Sequence, residues 1–126
     1  MIERKVFILD TKSADALLLG LNLKLLRFNK EYKGEKIKVD IKLKRYSCGH
    51  LPLDYDIYII HPSDTDEEAI KELRKEQPWC RIYARTGHTS LPTLTGIIDG
   101  LWGQIDNVIL RDEIINLRCK KEDGKD

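Results

Sequence analysis

His61 closes the apolar run in DYDIYIIH (54–61), and acids follow it at Asp64, Asp66, Glu67 and Glu68. Asp10 closes a second apolar run, KVFILD. Carboxylates such as Asp10 with Asp64 or Asp66 could hold a divalent ion, the arrangement that serves nucleases and phosphotransferases. An imidazole beside them could act as a nucleophile or general base. Thr86-Gly87-His88-Thr89-Ser90 offers hydroxyls and backbone N–H groups ahead of a helix, a pattern that can bind phosphate.

Each group also has a plainer reading. Acids from Asp64 to Glu68 suit the first turn of a helix, where each stabilises by about 0.3–1 kcal/mol through the helix dipole. Ser63 and Thr65 add capping boxes in more than one register. Ordinary capping accounts for Thr86 to Ser90 as well. His61 reads most simply as a structural residue packed beside Asp10, its charge tuned by that carboxylate, with a pH-sensitive switch as the other alternative to catalysis.

These residues need elements to position them. Residues 6–9 form a continuous apolar run, as in a strand buried on both faces. A helix follows from about Ser13, with Leu18, Leu21, Leu25 and Phe28 at helical spacing. In residues 37–44, Ile37, Val39, Ile41 and Leu43 alternate with Lys38, Asp40, Lys42 and Lys44. That period of two predicts an edge strand with one wet face. Residues 45–54 hold Gly49 and Pro52 and are too short for a full helix. A third strand spans 57–60. A helix over 63–77 turns Ala69, Ile70 and Leu73 inward and stops at Pro78. A fourth strand spans 80–84, a short helix 91–99, a fifth strand 107–110 and a last helix 112–119. Residues 1–120 then make one domain and 121–126 a disordered tail.

Alternating strands and helices build a mostly parallel sheet with helices on both faces. Right-handed crossovers and the edge-like second strand favour the order 2-1-3-4-5. The predicted fold class is α/β: a flavodoxin-like three-layer sandwich with a five-stranded parallel sheet and a shortened second helix. Ligands of such sheets sit at the carboxyl ends of the strands. Asp10, His61, Thr86 and Arg111 come together there.

Bulk composition narrows the function. The 126 residues are 41% hydrophobic and 34% charged, which suits one soluble globular domain. Lys+Arg of 22 against Asp+Glu of 21 gives +1, no overall drive toward nucleic acid or anionic lipid. The basic strip 36–45 therefore reads as a solvated strand face, and nucleic acid is disfavoured as a partner. No apolar run approaches the roughly 20 residues of a membrane span. Three scattered cysteines, Cys48, Cys80 and Cys119, argue for a reducing cytoplasmic setting over a disulfide framework. Cys48 and His50 form a lone pair where structural zinc wants four ligands. There is no GxxxxGK[ST], GxGxxG or GxSxG. Trp79 and Trp102 stand beside chain breaks, as core packing or as anchors for a partner.

The order and spacing of KVFILD, YDIYIIH, RIYART and GLWGQIDNVILRD resemble the receiver domains of bacterial response regulators, along nearly the whole chain. In that family a carboxylate ending the third strand accepts a phosphoryl group. Acids after the first strand help it hold Mg²⁺, and a Thr or Ser hydroxyl and a Lys contact the phosphoryl oxygens. By this resemblance the pocket here is degenerate. Asp10 remains, but Thr11 stands beside it. His61 takes the acceptor position and Thr86 the hydroxyl position. Arg111 replaces Lys, keeping charge but not geometry, and Asp112 replaces the following Pro.

Mg²⁺ wants hard oxygen ligands in octahedral order. One carboxylate and an imidazole make at most a weak site, and no cofactor is expected. Acyl-phosphate cannot form on His61, which has no carboxyl group. The resemblance thus implies a non-catalytic regulatory domain that works through a protein partner. Its contact face would include Leu101, Trp102, Ile114 and Leu117, where receivers commonly dimerise. The rival reading is a small metal-dependent phosphotransfer or hydrolytic enzyme using Asp10, His61 and Asp64.

Overall fold

A computed structural model of the chain describes residues 2–9, 31–32, 35–44, 50–62, 65–84 and 92–101. Its elements are β1 (Ile2–Leu9), β2 (Glu31–Tyr32), β3 (Glu35–Lys44), β4 (Ile57–Ile60), α1 (Glu67–Glu76), β5 (Arg81–Ala84), a 3-10 turn (Pro92–Leu94) and β6 (Gly100–Leu101). The sheet order is β2-β3-β1-β4-β5-β6. All neighbours are parallel except β2, which pairs antiparallel with the start of β3. The five parallel strands therefore run 2-1-3-4-5, as the alternation of elements predicts. No helix among the described residues is long and apolar enough to cross a membrane.

β1 is longer than its apolar run suggests. It pairs with β3 from Ile2 to Leu9, but with β4 only from Val6 to Leu9. Asp56 extends the second ladder by one step. Its N–H donates to Lys5 O (2.8 Å), and its Oδ2 accepts the Lys5 N–H (2.8 Å). Asp56 O also accepts the Arg81 N–H (2.9 Å), so one residue joins the starts of β4 and β5 to the middle of β1. β3 keeps the expected edge setting. Past its two-residue contact with β2, its outer side is unpaired among the described residues. Val39 is buried and Lys42 exposed, as a half-wet strand requires.

Parallel strands bury both faces. On one, Phe7, Leu9, Tyr58, Ile60 and Ile82 pack with Ile70 and Leu73 of α1, and with Cys80 and Leu94. On the other, Val6, Ile8, Ile57, Ile59 and Tyr83 are all but inaccessible. Each buried aliphatic side chain contributes about 1.5–3 kcal/mol. Phe7, Tyr55 and Tyr58 add a ring cluster with centroids 5.4, 5.8 and 6.0 Å apart.

The Tyr83 hydroxyl is buried with no hydrogen-bond partner among the described residues. Burial without a partner is costly, so removing the oxygen should not hurt. Tyr83→Phe is expected to leave stability unchanged or raise it by up to about 1 kcal/mol. Urea denaturation checks this, and a clear loss would reveal a partner for the phenol.

Helix α1 starts later than the capping boxes suggest. Asp66 is the N-cap, in extended conformation and without a side-chain cap bond. Its third helical residue is Ala69, so neither half of a capping box forms in that register. Glu67 and Glu68 occupy the first turn, and Arg74 and Lys75 the last, matching the helix dipole. Ala69, Ile70 and Leu73 are its buried residues, and the helix stops at Gln77 before Pro78, both as the sequence predicts.

The segment after β5 departs from expectation. A helix over 91–99 does not form. Pro92–Leu94 makes one 3-10 turn, and Ile97 and Ile98 N–H groups both donate to Leu94 O (2.9 and 3.2 Å). Gly96 then takes a left-handed conformation (φ +80°), which ends the helical path and suits a residue without Cβ. The strand beside β5 is Gly100–Leu101, paired with Tyr83 and Ala84. Gly100 thus opens a strand directly after the residues expected as a helix. Residues 107–110, expected as the fifth strand, lie outside the described residues, as do the expected helices near 13–28 and 112–119 and the tail 121–126.

Candidate functional site

At the carboxyl edge of the sheet, β1 ends at Leu9 and its neighbour β4 at Ile60. The next residue, His61, donates its N–H to Leu9 O (2.9 Å). That bond holds the backbone of His61 against the end of β1, with the side chain half-buried. The sequence placed His61 there correctly, because the apolar run before it fixes where β4 ends. Asp10, Thr11, Asp64, Thr86 and Arg111 lie outside the described residues. So do Trp102, Ile114 and Leu117 of the expected contact face. Leu101 is 7% exposed and packed in β6, which leaves it little area for a partner.

The acids near this edge have structural work. Asp66, Glu67 and Glu68 begin α1. Glu67 Oε1 also accepts a hydrogen bond from Thr93 Oγ1 (2.8 Å), tying the helix start to the 3-10 turn. Among the described residues, no group of three or more His, Cys, Asp or Glu side chains is placed to hold a metal ion.

A second polar cluster, at the opposite edge, escaped sequence reading. Tyr58 donates its hydroxyl hydrogen to Pro52 O (2.6 Å). The same oxygen accepts from the Tyr55 N–H (3.3 Å) and from Gln77 Nε2 (3.2 Å). Gln77 Nε2 also donates to Tyr55 O (3.2 Å), and Gln77 Oε1 accepts the Asp54 N–H. Gln77 is only 4% exposed, and its own N–H caps the helix on Leu73 O (2.8 Å). A glutamine before a proline carries no pattern that announces burial. Asp54 takes a left-handed φ of 71°, which aspartate tolerates better than most side chains.

The nucleophiles here are quiet. Burial is the main cause pushing the Cys80 thiol up to about 11, against a smaller lowering by Arg74. Burial likewise raises the Tyr58 phenol above its ordinary range, partly offset by its hydrogen bonds to Tyr55 and Gln77. Both are neutral at physiological pH, and a buried neutral thiol is chemically inert. The cluster therefore positions loop 50–56 rather than performing chemistry. Comparisons with protein-family models, with curated proteins and with solved structures found no match.

Proposed function

We propose that this chain is a receiver-like regulatory domain that acts through protein contacts and is not phosphorylated on aspartate. In this reading it is a flavodoxin-like three-layer sandwich with a shortened second helix. The parallel order 2-1-3-4-5 supports such a frame. The observation that carries the reading is the place of His61. It follows the third parallel strand, and its N–H bonds to the end of the first. In receivers that position holds the phosphorylated aspartate. An imidazole supplies no carboxyl group for acyl-phosphate and replaces a hard, charged Mg²⁺ ligand with a softer neutral one. Signalling then rests on binding, to a second copy of the chain or to another protein.

The test is a Mg²⁺ titration by calorimetry, followed by incubation with acetyl phosphate and intact mass measurement. The expected result is no phosphoryl adduct and no donor hydrolysis. An adduct, or metal-dependent consumption of the donor, would overturn the reading in favour of phosphotransfer at His61 with Asp10 and Asp64. Mapping the adduct by fragmentation would say which residue carries it.

A further inference from the structure

A groove of about 380 Å³ lies between residues 50–53 and α1, where the buried face of the helix meets its exposed one. Leu51, Ala69 and Leu73 give it an apolar lining, and Leu53 stands on its lip. Leu53 is 49% exposed, the exposed large hydrophobic side chain among the described residues. Glu72 and Glu76 line the helix side, one turn apart and both exposed. We propose that this groove docks a short segment of a partner protein in which an apolar anchor side chain lies beside a lysine or arginine. The inference is independent of the receiver-like reading, since it uses neither His61 nor the carboxyl edge of the sheet.

Three observations support it. First, the groove is built in advance. Tyr58 holds Pro52 O, and Gln77 holds both Tyr55 O and the Asp54 N–H, so the loop wall is fixed to the helix wall. A fixed wall loses little entropy on binding. Second, the acids that line it among the described residues are Glu72 and Glu76, with His50 the other titratable side chain on its wall. Glu68, Glu72 and Glu76 recur every four residues, and like charges at that spacing on a helix oppose each other. Lys71 relieves Glu68 (3.5 Å). Lys71 and Lys75 line the neighbouring depression, which shares Glu72 and Glu76, whereas no lysine or arginine among the described residues lines the groove. A partner's cation placed at the rim would offset that repulsion, and a carboxylate there would add to it. Third, the volume lies near the lower end of the roughly 300–1,000 Å³ of ligand pockets. It fits one anchor and one long cationic side chain better than a folded surface.

The test uses the full chain, labelled with ¹⁵N, and three acetylated peptides of equal length. One alternates Leu with Lys, the second has Glu for Lys, and the third has Ser for Leu. The Leu–Lys peptide is expected to shift amide signals of residues 50–53 and 69–76, and the other two to leave them in place. Glu72→Lys with Glu76→Lys should weaken binding by at least about tenfold, and Leu53→Ser by a similar factor. All three residues are exposed, and thermal melts confirm that each variant folds. No shift with the Leu–Lys peptide at millimolar concentration would overturn the proposal. So would equal binding of the Glu peptide, or shifts confined to other residues.

Discussion

Arg74→Ala is expected to lower the unfolding free energy by about 2–3 kcal/mol. The guanidinium joins three pieces of chain. Its Nε donates to Ile97 O (2.8 Å), and its Nη1 to Pro78 O (3.1 Å) and Cys80 O (2.7 Å). Its Nη2 pairs with Asp99 Oδ2 at 2.6 Å. Truncation strands three carbonyls and leaves Asp99 with the Ile82 N–H (2.7 Å) and a longer contact to Arg81 (3.5 Å). A fully buried pair broken on one side costs about 3–5 kcal/mol. The Arg74 and Asp99 side chains are 21% and 25% exposed, so water repays part of that. Arg74→Lys should recover only part of the loss, because an ammonium keeps the charge but cannot span the four acceptors as a planar fork does. Urea denaturation at unchanged m-value measures both variants. A loss under about 1 kcal/mol for the alanine variant would show that the clamp is ornamental.

The Arg74 clamp also shows why sequence reading stopped where it did. β1, β4 and β5 were legible because a strand buried on both faces needs an unbroken apolar run, and 6–9, 57–60 and 82–84 supply one. β3 was legible because a half-wet strand must alternate. The inward face of α1 followed from the spacing of Ala69, Ile70 and Leu73. β6 was not legible, because two residues, Gly100 and Leu101, carry no period and glycine signals a break. Its position is set at a distance, where Asp99 Oδ2 takes the Ile82 N–H and the Asp99 N–H donates to Ile82 O (2.7 Å). Arg74 and Asp99 are 25 residues apart, and nothing local in either announces the other. His61 was placed because it follows an unbroken apolar run. Gln77 was missed because its burial depends on Tyr58 and loop 50–56, a contact that only the folded chain creates. Local pattern thus fixes where strands end, and so where a ligand edge lies, while the groups that pin the loops come from non-local hydrogen bonds.

Raising the pH from 9 to 11 is expected to remove about 2 kcal/mol of stability through Cys80 alone. The thiol titrates near 9 when unfolded and at about 11 when folded, chiefly because burial disfavours the thiolate. Well below pH 9 both states hold the proton and stability is unaffected. Between 9 and 11 the unfolded chain loses it first, so the unfolded state binds fewer protons and stability falls as pH rises. Above 11 both states are ionised and this contribution levels off. Tyr58 acts in the same direction from about pH 10 upward, since its folded pKa is also raised. Cys80→Ala separates the two. It should cost about 1 kcal/mol at neutral pH through the lost sulfur contacts, yet fall less steeply than the parent between pH 9 and 11. Every other titrating group, Cys48 and Cys119 included, is common to both proteins and cancels in the difference. Parallel slopes for parent and variant in urea denaturation would mean that the folded thiol ionises as readily as a free one. The packing of Cys80 against Ile82, Tyr58 and Leu94 would then be looser than its complete burial implies.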